Sequence, residues 1–310
     1  MKPKLTISTF ELFSMIPDAE SARQYIEKRR WPEGVVCPKC QAKAERITVR
    51  VGGYYRCNVC DLDFTIRTNT IFERSHIPLH KWLYAMYLLV TARKGISSLQ
   101  LSKEIGITQK SAWFMLQRIR EVCGNDDFTL SGIVEMDETY IGGKESNKHH
   151  SDKLNSGRGA VGKSPVFGMR ERKGRTKAIA VENVDGPTIY KAINENIQVG
   201  STIYSDDHRS YSGLDGLLYR HATVNHSSGE YARDGVCTNG IESVWAVLKR
   251  GINGVYHHVS PKHLNRYVGE FTFRLNDGNV QRHSLDRLAS LLKSVIGKHL
   301  TWDRLTGGAQ

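Results

Sequence analysis

Four cysteines in the N-terminal third stand as two pairs, "CPKC" (37–40) and "CNVC" (57–60), with sixteen residues between them. Zn²⁺ takes four thiolates in a tetrahedron. One CxxC turn places two on one side of the ion and a second turn supplies the rest. The intervening "RITVRVGGYYR" is β-branched and aromatic around Gly52-Gly53, which predicts a hairpin, and "LDFTIRTNT" (62–70) predicts a third strand. Cys37, Cys40, Cys57 and Cys60 are therefore expected to hold a structural Zn²⁺ in a zinc ribbon. A redox reading needs one CxxC beside a βαβ unit. Cys123 and Cys237 stand alone and read as small apolar residues. Lys39, Lys43, Arg46, Arg50 and Arg56 decorate the ribbon, which either touches nucleic acid or braces the fold.

A second set is acidic. "GIVEMDETYIGG" (132–143) reads as a strand ending in Gly-Gly, with Asp137 and Glu138 inside a β-like run. A carboxylate in a core strand is costly unless it is paired or bound to metal. "STIYSDDHRSY" (201–211) reads as a short buried strand ending in Asp206-Asp207. Neighbouring strands would bring Asp137 and Asp206 together. Two carboxylates with a third can hold two hard cations, Mg²⁺ or Mn²⁺, about 3.5–4 Å apart. Such a pair activates an attacking oxygen and stabilises a leaving oxygen in phosphodiester chemistry. Glu242, in "CTNGIESVWAVLKRG" (237–251), is a candidate third acid, with thirty-five residues between it and Asp206. The competing reading is local: Asn239 as an N-cap with Glu242 three residues on is close to a capping box.

These side chains need scaffolds, and 310 residues with 39% hydrophobic and 25% charged content suffice for two or three globular domains. A net charge of +12 and a pI near 9.4 favour a polyanionic partner, nucleic acid above all. "MKPKLTISTFELF" has neither the apolar core nor the cleavage site of a signal peptide. The most apolar run, "WLYAMYLLVTA" (82–92), is too short to span a bilayer. A cytoplasmic protein with no membrane partner is expected, and in such a chain six cysteines are not a disulfide framework.

Three regions follow: 1–75, an N-terminal helix and the ribbon; 76–125, helical; and 130–300, α/β, after the turn-rich "CGNDDFTLSG" (123–132). In the helical region an apolar helix (about 79–92) precedes "ISSLQLSKEIGITQKSAWFMLQRIREV" (96–122). There Ser98 can cap a short helix with Leu101 and Ile105 inward. Gly106 turns the chain, and Thr108 caps a second helix with Ala112, Leu116 and Ile119 inward. This is a helix-turn-helix, whose second helix enters the major groove, or else a plain αα-hairpin with a Gly corner. In the first reading Gln109, Lys110, Ser111, Phe114 and Arg118 face DNA.

In the last region "PVFGMRER" (165–172) and "TKAIAVENV" (176–184) form a hairpin turning at Lys173-Gly174, and "PTIYKAINENI" (187–197) is a helix with Pro in its first turn. The order suits an α/β sheet with its first strands antiparallel and its site at strand ends. The basic stretch 144–163 is a loop, either solvated or holding a phosphate backbone. Lys249, Arg250, His257, His258 and Lys262 cluster behind Glu242, with Lys249 and Arg250 the candidate DNA contacts. Trp245, one turn from Glu242, is a base-stacking platform or a core residue. Helices at about 261–276 and 284–298 look structural.

Asp, Asp, thirty-five residues, then Glu resembles the DDE signature of transposases and retroviral-type integrases. The ordered set "RWPEGVVCPKC" (30–40), "YRCNVC" (55–60), "MDETYIGGKE" (136–145), "GRGAVGKSPVFG" (157–168), "YSDDHRSY" (204–211) and "TNGIESVWAVLKRGINGVYHHVSPKHLNRYVGEFTFRLN" (238–276) spans most of the chain. It is similar to a zinc-ribbon-containing group of bacterial insertion-sequence DDE transposases related to the Merlin type. The resemblance implies Asp137, Asp206 and Glu242 as catalytic metal ligands, with Glu138 the rival of Asp137 and Asp207 the rival of Asp206. Alternation puts Glu138 on the opposite face of its strand. It implies a multidomain chain: a zinc ribbon and helix-turn-helix (α+β), then a C-terminal α/β ribonuclease-H-like DDE domain. It further implies binding of terminal inverted repeats, metal-dependent strand cleavage, transfer to target DNA, and a homo-oligomer at synapsis. A non-catalytic DNA-binding regulator with a decayed nuclease fold is the alternative, and the intact acidic triad argues against it.

Overall fold

The computed structural model describes residues 4–124, 127–143, 147–154, 160–207, 209–211, 213–214, 216, 218–224 and 235–307. They fall into two units, Met1–Asn125 with Asp277–Gln310, and Asp126–Asn276. Positions 144–146 and 155–159 of the expected basic loop lie outside the described residues. Among the described residues no helix is long and apolar enough to cross a membrane.

In the first unit, helix α1 (Thr9–Met15) starts with a capping box between Ser8 and Glu11, and α2 (Ala19–Arg30) starts at Asp18, whose side chain accepts from the Ser21 N–H. Strands β1 (Ile47–Arg50), β2 (Tyr54–Cys57) and β3 (Asp63–Thr65) form the expected antiparallel sheet in that order. The β1–β2 turn uses Gly52 and Gly53, both at φ +77°, a region that glycine enters without a Cβ penalty. Trp31, Tyr55 and Phe64 close the small core with ring centroids 5.4–6.1 Å apart.

Helices α3 (Leu79–Thr91), α4 (Ser98–Ile105) and α5 (Gln109–Cys123) follow. Ser97 rather than Ser98 caps α4, accepting from the Gln100 N–H. Gly106 takes the left-handed conformation, and Thr108 caps α5. Leu101, Ile105, Ala112, Leu116 and Ile119 are buried, as their spacing predicts.

The outer face of α5 departs from expectation, because every residue from Met115 to Arg120 is buried. Arg118, expected to face DNA, is 6% exposed. Its Nε donates to the Leu300 carbonyl (3.0 Å), and its Nη1 donates to those of Ile71 (3.0 Å) and Glu73 (2.9 Å). Its partners are backbone acceptors that sequence periodicity does not reveal. Arg118→Met should leave these carbonyls unsatisfied and cost about 3 kcal/mol, read by urea denaturation, at roughly 1 kcal/mol or more for each buried unpaired group. A DNA-contacting arginine would instead weaken DNA binding at unchanged stability.

The second unit is built on β4 (Ile133–Ile141), β5 (Ser164–Glu171), β6 (Thr176–Ala180), α6 (Gly186–Asn196), β7 (Thr202–Asp206), β8 (Arg220–Val224), α7 (Asn239–Gly251) and α8 (Pro261–Leu275). The sheet order is β6-β5-β4-β7-β8. The β4–β5 and β5–β6 pairs are antiparallel, and β4–β7 and β7–β8 are parallel. This is the expected α/β sheet with its first strands antiparallel. Alternation sends Val134, Met136, Phe167, Met169 and Ile203 to a core with Ile189 and Ile193 of α6. Ile141 and Val166 join Ile241, Trp245 and Leu248 of α7 and Leu264, Val268 and Phe271 of α8. On the edge strand β6, the Thr176 and Ala180 N–H groups donate to the side chains of Asn276 and Asn265, so that side of the edge is covered.

Two further helices, α9 (Ser284–Lys293) and α10 (Trp302–Thr306), belong to the first unit. The α/β region was expected to run to 300, but it ends at Asn276. Arg287 of α9, 1% exposed, donates to the Val90 carbonyl of α3, and Leu288 and Leu291 are fully buried. An amphipathic pattern shows that a helix packs but not which unit receives it. Trp302 of α10 packs edge-on against Trp113 and Phe114, so Phe114 is also engaged within this unit.

Candidate functional site

The two CxxC turns are matching knuckles. Cys40 and Cys60 are each followed by a residue in the left-handed region, Gln41 (φ 62°) and Asp61 (φ 57°), which turns the chain back around the sulfurs. Cys37 Sγ lies 3.6 Å from Cys60 Sγ, and Cys40 Sγ 3.5 Å from Cys57 Sγ; all four sulfurs fall within 4.8 Å of one another. A tetrahedron with Zn–S bonds of about 2.3 Å has edges of about 3.8 Å, so the four thiols fit Zn²⁺ closely. Arg56 pairs with Asp61 and Asp63, and Arg50 also reaches Asp63, so both charges have acidic neighbours within the ribbon.

The acids meet in the second unit. Parallel pairing matches Ile133 with Thr202, Val134 with Ile203 and Glu135 with Tyr204. The recorded pairs end there; alternation puts Asp137, two residues past Glu135, and Asp206, two past Tyr204, on the same face of these adjacent strands. Glu242 approaches from the first turn of α7. Asp137, Asp206 and Glu242 line one pocket of about 520 Å³ with Glu138, Thr139, Thr238, Trp245, Ala246 and Lys249. Burial first, then the charge of Glu138, push Asp137 up to about 7; Asp206 adds to the rise and the Trp245 hydrogen bond opposes it. A half-buried carboxyl destabilised by neighbouring acids is a group that a cation would relieve, so this donor set fits hard divalent ions. Asp207 is exposed past the strand and does not line the pocket. Glu138 accepts from the Tyr211 hydroxyl at 2.6 Å, and Tyr211 belongs to the α6 side of the sheet.

Trp245 is 4% exposed, and its Nε1 donates to Asp137 Oδ2 at 2.8 Å. The ring lies over Gly168, the β5 residue paired with Asp137, where any Cβ would collide with the indole. Trp245 is thus a core residue that orients an acid, and its burial leaves no face for base stacking. Trp245→Phe removes the one side-chain donor that opposes the upward pull on Asp137. The expected result is Mg²⁺ half-saturation of any metal-dependent activity displaced upward by about tenfold. Unchanged half-saturation would remove the orienting role.

The competing reading of a capping box at Asn239 and Glu242 does not hold. Asn239 is already helical, and Thr238 holds the N-cap place with no side-chain capping bond. Glu242 instead accepts from the Thr238 hydroxyl at 3.3 Å at the pocket wall. Sequence reasoning also missed Glu135, Arg170 and Arg172, which tie this turn to the sheet.

The remaining candidates divide. Lys249 is exposed and lines both the acid pocket and a neighbouring one of about 280 Å³ with His257 and His258. Arg250 is exposed, and its Nε donates to the Ala246 carbonyl. At the start of α5, Gln109 donates to Ser98, Lys110 lies over the Trp302 ring at 4.6 Å, and the Ser111 N–H and Oγ both engage Thr108. Cys237 Sγ accepts from Arg172 at 2.9 Å, so it is more than an apolar filler.

A four-cysteine ribbon and an α/β domain with one carboxylate in the middle of β4, one at the end of β7 and one in the first turn of α7 define a ribbon-bearing protein with a candidate acid-cluster site. The ISXO2-like transposase domain family matches residues 129–276, and the transposase zinc-ribbon domain family matches residues 17–62. An uncharacterized protein in transposable element ISH50 of Halobacterium salinarum is 30% identical over 268 residues, covering 82% of this chain and 89% of that protein. An uncharacterized transposase-like protein of Haemophilus influenzae is 27% identical over 124 residues, covering 40% and 95%. The chain belongs to the ISXO2-like transposase family.

Among solved structures, a chain of a simian T-cell lymphotropic virus intasome in complex with PP2A regulatory subunit B56 gamma is 15% identical, with a TM-score of 0.29. It covers 61% of this chain and just under two thirds of its own length, 65%. A chain of a pre-cleavage Mos1 transpososome is 12% identical, with a TM-score of 0.24, covering 71% and 80%. Scores of that size carry no argument about this fold.

Proposed function

We propose that the protein is a metal-dependent DNA transposase, a polynucleotidyl transferase that binds the terminal inverted repeats of its element, cuts a strand and joins the freed 3′ end to target DNA. The observation that carries the reading is that Asp137 of β4, Asp206 of the parallel neighbour β7 and Glu242 of α7 line one pocket. A mixed five-stranded sheet with the first acid on its central strand supports a ribonuclease-H-like catalytic domain. Asp137, Asp206 and Glu242 would hold two Mg²⁺ or Mn²⁺ ions. When bound, such a pair supplies the charge that activates an attacking oxygen and stabilises a leaving one. Asp137, held by the Trp245 indole N–H, lines the pocket. Lys249, at the rim, balances phosphodiester charge.

The net charge of +12 supports a DNA partner. The α4-turn-α5 segment supports a helix-turn-helix contact through Gln109, Lys110 and Ser111 at the start of α5, with Lys249 and Arg250 on α7. The ribbon would carry one structural Zn²⁺. Joining two element ends calls for at least two copies at synapsis. The direct test incubates the purified chain with duplexes ending in the element's terminal repeats and Mg²⁺. The expected products are nicked ends and ends joined to a second duplex; intact substrate with bound protein would overturn the enzymatic reading.

A further inference from the structure

Glu135 is 3% exposed, two residues before Asp137 and on the same face of β4. It does not line the acid pocket, and both of its oxygens are engaged. Oε2 accepts from the Ile241 N–H at 3.1 Å, and Oε1 from Arg172 Nε at 3.4 Å. Ile241 is the third residue of α7, a helix with no side-chain cap of its own. The carboxylate supplies from the sheet what the helix lacks, an acceptor and a negative charge at its N-terminus. Gly240 permits the approach, since a Cβ there would run into Glu135 Oε2.

Two arginines complete the hold. Arg172 donates through Nη1 to the Gly235 carbonyl at 2.8 Å and through Nη2 to Cys237 Sγ at 2.9 Å. Arg170 Nη1 donates to the Gly240 carbonyl at 2.6 Å and to Ser243 Oγ at 2.8 Å. Glu242 is the residue after Ile241, so whatever fixes the Ile241 amide on β4 also fixes Glu242 relative to Asp137.

We propose that Glu135, backed by Arg172, is a positioning residue that clamps the first turn of α7 onto β4 and so sets Glu242 opposite Asp137 and Asp206. Its catalytic meaning rests on the metal-site reading above, whereas the clamp stands on the contacts alone. Glu135 is not a ligand itself, because donors occupy both oxygens. Groups of this kind, one step removed from a metal, typically change its affinity 10–100-fold when lost.

The test compares full-length wild type, Glu135→Gln and a control, Glu195→Gln at an exposed position of α6, by hydrogen exchange and by Mn²⁺ binding followed by electron paramagnetic resonance. Glu135→Gln keeps the side chain's size but turns a donor toward Arg172. The expected result is exchange of the 240–243 amides faster by about tenfold and Mn²⁺ affinity weaker by about tenfold, with the control unchanged. A carboxylate that merely supported the fold would raise exchange throughout the sheet and leave Mn²⁺ affinity alone, and that outcome overturns the proposal, as does no change in either readout. Should Glu135→Gln not fold, Arg172→Lys, which keeps Glu135 and loses the guanidinium fork, is expected to shift both readouts in the same direction, and no shift overturns the proposal. Wild type that binds no Mn²⁺ would sink the metal-site reading, and the exchange result would then decide the clamp by itself.

Discussion

Asp137→Asn is expected to reduce Mg²⁺-dependent strand cleavage by about 10³-fold or more while leaving affinity for terminal-repeat DNA unchanged. A ligand to catalytic ions takes part in several kcal/mol of transition-state stabilisation, and about 4 kcal/mol corresponds to a thousandfold rate. Asp206→Asn and Glu242→Gln should behave alike, because all three line the same pocket. If any one of them cleaved like wild type, that residue would lose its place in the triad.

The environment of Asp137 adds a sign that separates a catalytic acid from a structural one. Its carboxyl is raised from 3.8 to about 7 in the folded chain, by burial first and then by Glu138. A folded-state value above the unfolded one means a stabilising contribution that is complete below about 3.8 and lost as pH rises through about 7. At neutral pH and without metal, the ionised group is therefore a liability. Asp137→Asn should raise the melting temperature of metal-free protein at pH 8 and change it little at pH 4, while activity collapses. Metal binding must also displace the proton, so apparent Mg²⁺ affinity should fall as pH drops below about 7. A variant that lost activity by losing stability would show the opposite melting shift.

What could be read in advance follows the range of the interactions. The ribbon was legible because metal chemistry imposes local spacing: two CxxC pairs and a Gly-Gly turn allow few other structures. Asp137 and Asp206 were legible as strand acids because a carboxylate in a β run is expensive without a partner, but the strand-end placement holds for Asp206 alone, since Asp137 sits in the middle of β4. Their meeting depends on how β4 and β7 pair, and no local pattern encodes that. Arg118 went wrong for a related reason. It has the type and helix position of a DNA contact, yet its partners are carbonyls from residues 71, 73 and 300. The competing capping-box reading of Glu242 arose because its own segment has that spacing. The acceptor for that turn is Glu135, over a hundred residues earlier. Alternation alone placed Glu135 on the Asp137 face, and that was the available signal. The helix expected at about 284–298 read as structural, but its apolar residues do not name the unit that buries them.

Loss of the ribbon's metal should be the largest structural effect. Cys57→Ser is expected to abolish the bound zinc, read as one equivalent falling to none by elemental analysis, and to open the segment 37–62 to proteolysis. The sheet there has strands of four, four and three residues, and its core is little more than Trp31, Tyr55 and Phe64 around two buried cysteines. A core that small does not hold itself, whereas structural Zn²⁺ contributes roughly 10–16 kcal/mol of apparent binding free energy in comparable peptides. Ion binding and folding are therefore one event in this segment. Chelation of wild type should reproduce the proteolytic pattern, and added Zn²⁺ should reverse it for wild type but not for Cys57→Ser. The acid pocket lies in the other unit and uses none of these sulfurs, so Mn²⁺ binding there should survive the substitution. Retained protection of 37–62 in zinc-free Cys57→Ser would mean that the aromatic core, not four thiolates, folds the ribbon.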